Sequence, residues 1–310
     1  MTTIEVCHGL LCGHQPMQLN VNSYAMMRAE IALASAQKTV CAALAIFSIA
    51  VFTGCATMMP TPLTTPSSDA MRALAPNGTL RAAINFGNPI LANKNAQTGE
   101  PFGVSVDLAR ELGKRLKVPV ELVTFTSAGK VVDALSANEV SIAFVAIDPV
   151  RAATTAYSAP YVIIEGAYLV RENSPLKSNE EVDRPGTRIV VGAGSAYDLY
   201  LTREVKQATL VRAPTSPLVT DEMLKLNLEV AAGVKQQLQA DAARVGAVRL
   251  LPGRFMVINQ AVAMPITRAA AVDYVKAFVE DMKASGFVAA ALERHGIKGA
   301  LVAPLVAAVK

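Results

Sequence analysis

From Thr79 to His295, short apolar runs alternate with segments whose apolar residues recur at helical spacing. Alternating strands and helices leave few folds open. Leu80–Phe86 reads as a strand, and Val106–Leu116 carries Leu108, Leu112 and Leu116 at i, i+4 and i+8, one face of a helix. Val118–Phe125 is the next strand. Ser127 then stands where it can cap a helix bearing Val131, Val132 and Leu135, and Val140–Ile147 returns as a buried strand. This βαβαβ order predicts a parallel sheet with right-handed crossovers. A second unit begins at Thr187: strand Arg188–Val191, turn Gly192–Gly194, a helix capped by Ser195 and running to about Glu204, strand Ala208–Arg212, a helix around Asp221–Leu226, strand Glu229–Ala232, helix Val234–Arg244 and strand Val248–Leu251. Phe255–Ala263 and helices at Ala269–Ser285 and Phe287–His295 close the pattern, followed by an apolar tail.

The 310 residues suffice for one large or two ordinary domains. Since 52% are hydrophobic and only 17% charged, a membrane protein has to be considered. Val40–Phe52 is the one run that approaches a span, and it falls short of the ~20 residues that a bilayer core requires. The remaining excess is mostly Ala and Val within alternating elements, as in a sheet buried on both faces. All four cysteines (Cys7, Cys12, Cys41, Cys55) lie in the first 55 residues. Arg28 and Lys38 precede the apolar run and Phe52-Thr53-Gly54-Cys55 closes it, which is the order of an export signal. The small residues before Cys55 resemble the lipobox of bacterial lipoproteins, and that resemblance implies a lipid anchor at Cys55 in the periplasm or cell envelope. An ordinary signal peptide with an incidental cysteine is the alternative. The basic region lies far from Met1, so Met26 or Met27 is a candidate start. Cys7-His8 and Cys12-Gly13-His14 match no common zinc spacing, and no metal or cofactor is expected. Residues 56–78 read as a linker, with Thr61–Ser68 rich in Thr, Pro and Ser. Removing the first 55 residues takes away two basic and two acidic side chains, so the net charge of +4 stays with the body. No basic run is interleaved with aromatics there, and nucleic acid is not an expected partner.

Asp148-Pro149 ends the third strand with a cap residue and a proline suited to a first helical position, placing Arg151 in the first turn beyond a strand's carboxyl end. Open α/β sheets bind ligands at that edge. Gly103-Val104-Ser105-Val106-Asp107-Leu108-Ala109, Asp148-Pro149-Val150-Arg151 with Tyr157-Ser158-Ala159-Pro160-Tyr161, Gly194-Ser195 with Tyr200-Leu201, and Lys283-Ala284-Ser285-Gly286 occur in order and at suitable spacing. Together they resemble the blocks of bacterial extracellular solute-binding proteins of the polar amino acid group. The resemblance implies an α/β type II periplasmic binding fold: two lobes, each a mostly parallel sheet flanked by helices, hinged by two crossing strands near Ile164–Arg171 and Ile258–Pro265. Lobe 1 would be residues 79–167 and 264–310, and lobe 2 residues 168–263. It further implies a monomer that delivers a small-molecule ligand to an ABC permease and touches the membrane through a lipid anchor at most. Arg151 is the counterpart of the residue that pairs with the ligand's carboxylate, as a planar guanidinium fork can; a solvated helix-start arginine is the bland alternative. N–H groups after Ser195 could meet the same carboxylate, or Ser195 is a simple cap. The implied ligand-binding set is Asn88, Ser127, Ala146, Arg151, Gly194, Ser195, Ala196 and Glu229.

Three departures count against an ordinary α-amino acid. Asn88-Pro89-Ile90-Leu91-Ala92 lacks the usual aromatic wall, Ala146 stands where a hydroxyl is common, and Val234 falls where an acidic residue usually grips the ammonium, with Glu229 nearby in sequence. An enzyme on the same fold, similar to cyclohexadienyl dehydratase, and a sensor without transport are the rival functions. Beyond residue 55 the chain has one histidine, His295, and no cysteine, H-x-x-x-H or G-x-S-x-G, which largely excludes nucleophilic triads and thiol chemistry. Glu229 and Asp198 remain as candidate general acids.

Overall fold

The computed structural model describes residues 65–306. The four cysteines, the export segment and the anchor expected at Cys55 lie outside these residues. The first element corrects the expected 56–78 linker: α1 (Ser68–Leu74) is a helix, capped by the Ser67 hydroxyl, which accepts the Ala70 N–H at 3.1 Å. Ala70 and Leu74, four apart on one face, are buried, so the Ser-Pro composition gives way to packing.

Strand β1 (Leu80–Asn85) is followed by a small hairpin, β2 (Asn93–Lys94) with β3 (Pro101–Phe102). Helix α2 (Val104–Leu116) turns Leu108 and Leu112 into the core, each fully buried, and ends on Lys117 in the left-handed region at φ 57°. Burying a leucine stabilises by about 1.5–3 kcal/mol, which fixes α2 on the sheet. Then come β4 (Val120–Phe125), α3 (Ala128–Ser136) with Ser127 as its cap, and β5 (Ile142–Ala146), buried along its whole length.

β6 (Thr155–Arg171) is 17 residues long, far longer than the crossing expected at Ile164–Arg171. Pro160 lacks an N–H and reads as a strand breaker. β6 absorbs it by bulging: from Gln260 to Ala261 the partner advances one residue while β6 goes from Val162 to Pro160, and the register shifts again between Ala261 and Ala263. Lobe 2 follows as β7 (Arg188–Gly192), α4 (Ala196–Glu204), β8 (Thr209–Ala213), α5 (Val219–Lys225), β9 (Val230–Val234), α6 (Lys235–Val245) and β10 (Val248–Leu250). β11 (Met256–Pro265) returns to lobe 1, where α7 (Val272–Ala284), α8 (Phe287–Arg294) and β12 (Leu301–Val302) complete the chain.

One sheet runs through both lobes. Its lobe 1 part has β4, β1 and β5 parallel, then β11 and β6 antiparallel, with β12 on β6. In lobe 2, β6 carries β10 on one side and β9 on the other, followed by β7 and β8 in parallel. The chain changes lobe near Ile163–Gly166 on β6 and Met256–Asn259 on β11, where the two strands pair. Separate apolar clusters fill the lobes: one around Leu108, Tyr161 and Phe278, and others around Ile189, Tyr197 and Met223. No helix among the described residues is long and apolar enough to cross a membrane.

Candidate functional site

The parallel strands of both lobes point their carboxyl ends at the cleft between the lobes. β5 ends at Ala146, and the loop after it closes on a single 3₁₀ turn that starts at Arg151. Asp148 shapes that loop: its Oδ1 accepts the Val150 N–H at 2.8 Å, while its Oδ2 accepts from Arg203 of α4 at 3.0 Å, an ion pair across the cleft. Arg151 is only 4% exposed. Its Nη1 donates to the Ala146 carbonyl at 3.0 Å and its Nη2 crosses to the Gly194 carbonyl of lobe 2 at 2.8 Å. Among the described residues no carboxylate forms an ion pair with it. Burial pushes its pKa down, with the Tyr157 hydroxyl and Asp148 acting in the opposite direction.

Glycines let the lobes meet. Gly194 has φ +69°, and a Cβ built there would lie 3.0 Å from the Gly129 Cα of lobe 1. At Gly192 a Cβ would lie 2.6 Å from Ser216 Oγ and 2.7 Å from its Cα, so the bare backbone lets the loop after β8 lie over the end of β7. Between the lobes remains a cavity of about 30 Å³, room for a water or two. Lobe 1 contributes Asn85, Gly87, Asn88, Ala128, Ala146 and Arg151 to its wall; lobe 2 contributes Ser195, Ala196, Tyr197, Ser216 and Val234; and β11 contributes Ile258 and Gln260. Asn88 Oδ1 and the Tyr197 hydroxyl are buried there without a hydrogen-bond partner. Tyr197 lies beside Ser195 and Ser216 without bonding either, and burial raises its pKa.

Of the eight expected residues, the structure brings Asn88, Ala146, Arg151, Ser195 and Ala196 together at this wall. Gly194 is at its border, its carbonyl held by Arg151 and its N–H donating to Asp198 Oδ2 at 2.9 Å. Ser127 caps α3, accepting the Lys130 N–H, and it is Ala128 that faces the cavity. Glu229 is the correction. It sits where β9 begins, at the opposite edge of the sheet, and pairs with Arg188 at 2.7 Å in a separate surface depression of about 580 Å³ shared with Arg171 and Arg184. That pairing lowers its pKa. Asp198, the other candidate acid, is 4% exposed and committed to the Gly194 N–H, Arg212 and Thr202. Sequence reasoning missed Tyr197, Ser216 and Gln260. Tyr197 follows the capping Ser195 by two residues, and Ser216 follows a strand's carboxyl end, so both carried a positional signal.

Two α/β lobes joined by paired crossing strands, with a buried cation between them, define a clamp of the type II periplasmic binding fold. The solute receptor for L-cysteine of Neisseria gonorrhoeae superposes with a TM-score of 0.65 at 20% identity, covering 74% of this chain and 94% of the receptor. A mutant of ArgBP from T. maritima gives 0.64 at 18%, covering 73% and 99%. An ancestral amino acid-binding protein described as a precursor of cyclohexadienyl dehydratase gives 0.62 at 21%, covering 72% and 98%. At these identities the likeness concerns the fold alone. A family model matches residues 80–298, and the chain belongs to the bacterial extracellular solute-binding proteins, family 3. No match was found among curated protein sequences.

Proposed function

We propose that this chain is the ligand-binding component of an ABC-type importer, working outside the inner membrane and closing its two lobes on a small carboxylate-bearing solute. One observation carries the reading: the Arg151 guanidinium is buried between the lobes with only carbonyl oxygens as partners. A buried cation without a counter-charge is costly, and a ligand carboxylate that takes the place of the Gly194 carbonyl would supply one. The solutes named for similar structures, L-cysteine and arginine, carry such a carboxylate. Ligand that contacts both lobes favours the closed clamp, and a permease can then distinguish loaded from empty protein. Periplasmic residence as a monomer, with a lipid anchor at Cys55, completes the proposal; mass spectrometry of the mature N-terminus that finds an unmodified Cys55 would remove the anchor.

The cavity wall contains no carboxylate, imidazole or thiol to act as a general acid or nucleophile. Binding without turnover is therefore the expected behaviour, and conversion of arogenate or prephenate by the purified protein would overturn it. The anchor role is tested with Arg151→Ala. Loss of a desolvated charge-assisted pair should weaken carboxylate binding by ~2 kcal/mol, about 30-fold, in calorimetry. Unchanged affinity in the folded variant would end the assignment.

A further inference from the structure

The charge balance of the cleft points to a narrower class of ligand than its fold does. Among the described residues Arg151 is the one charged side chain on the cavity wall, and no acidic residue lines that wall. Three helices also begin there: Ala128 opens α3, Ala196 opens α4, and Val234 is the residue before α6. The first N–H groups of a helix have no acceptor within it, and the helix dipole makes that end positive. Val234 offers no side-chain acceptor to α6, where Asp or Ser would.

Nearby carboxylates are spoken for. Asp148 is held by Arg203 and the Val150 N–H, Asp198 by Gly194 and Arg212, and Glu165 by Lys235 and Arg254. An ammonium brought into this cavity would meet a guanidinium and the starts of three helices, while the closest carboxylates, Asp148 and the first-turn Asp198 of α4, are already paired with Arg203 and Arg212. Two buried polar atoms remain for the ligand, Asn88 Oδ1, an acceptor, and the Tyr197 hydroxyl. An uncharged O–H donor satisfies the first without adding positive charge.

Accepting the carboxylate anchor at Arg151, we infer that the cleft selects a compact hydroxy-monocarboxylate and rejects the α-amino acid of the same size.

Matched probes isolate the ammonium. Glycolate and lactate are compared with glycine and alanine at equal concentration, by thermal melting and calorimetry of the purified protein. The hydroxy acids should raise the melting temperature and the amino acids should not. Val234→Asp supplies the missing anion at a helix cap, where Asp is well tolerated, so the variant should fold. It should bind alanine and lose about ten-fold or more in lactate affinity. Glycine or alanine binding the wild type as tightly as glycolate or lactate overturns the inference, as does failure of all four probes to bind. If the amino acids bind and Arg151→Ala abolishes that binding, only the ammonium exclusion falls and the carboxylate anchor stands. Binding of any probe that persists in a folded Arg151→Ala variant removes the anchor itself. Arg151→Lys, which keeps the charge and loses the fork, serves where the alanine variant does not fold.

Discussion

The two edges of the parallel strands in lobe 2 are built on opposite plans. Where β7 and β9 begin, charge is settled within the lobe: Arg188 grips Glu229 through Nε at 2.9 Å and Nη2 at 2.7 Å, its N–H adds a third bond at 2.8 Å, and Arg171 donates to the Leu228 carbonyl at 2.6 Å. Where the same strands end, the wall is helix starts and glycine backbone, and the one cation arrives from the other lobe to meet carbonyls alone. An edge that satisfies its own groups serves the fold. An edge that leaves a buried guanidinium and two polar atoms without suitable partners is arranged for something that is not part of the chain.

If that contrast is sound, a methyl group should be felt more at the cleft edge than at the other. Gly192→Ala forces its Cβ against the Ser216 backbone, and overpacking of this kind costs about 1–3 kcal/mol. Gly186, just before β7 at the opposite edge, has φ +85° but nothing within 4 Å of a built Cβ, so Gly186→Ala should carry only the backbone cost of roughly 1 kcal/mol. Thermal melts compare the two, at about 2–4 °C per kcal/mol for a chain of this size. Equal shifts would mean that the cleft edge is no tighter than the other.

A smaller effect separates closure from ligand contact. Arg203 does not line the cavity, yet it bridges the cleft to Asp148, whose side chain is 4% exposed while that of Arg203 is 33% exposed. Removing it should shift the clamp toward open forms and reduce affinity by about five-fold, ~1 kcal/mol, without changing which ligands are preferred. Small-angle scattering of unliganded Arg203→Ala should give a larger radius of gyration than wild type. A change of ligand preference would instead place Arg203 in the binding surface.

Much of this architecture is legible in the sequence, because strand and helix periods differ and the caps at Ser127 and Ser195 mark where helices start. Two elements are not. The Ser-Pro composition before α1 hides the Ala70/Leu74 pair that packs it, and Pro160 hides a strand of 17 residues that stays paired by bulging around the proline. The site divides the same way. Arg151 follows from an Asp-Pro cap at the end of a buried strand, a local signal. Tyr197, Ser216 and Gln260 come from three separate elements and meet only after tertiary folding. Glu229 shows that nearness in sequence is not nearness in space along a strand: five residue steps carry the chain from it to Val234, roughly 16 Å at about 3.3 Å each.

Glu229 supplies the smallest effect. Glu229→Gln should leave ligand affinity unchanged, because its carboxylate bonds Arg188 at the edge remote from the cleft. Its effect belongs to stability and to acid. Arg188 lowers the Glu229 pKa in the folded state, so the group stabilises the fold above the unfolded carboxylate value of about 4.3 and loses that contribution as pH falls through its lowered folded value. With 38% of its side chain exposed, solvent screens the pair, and the difference at neutral pH should stay below about 1 kcal/mol. Melting curves of wild type and variant should therefore differ slightly at pH 7 and converge once the pH has fallen through the lowered folded value. A loss of ligand affinity in Glu229→Gln would show that the two edges communicate, and the division of labour between them would have to be abandoned.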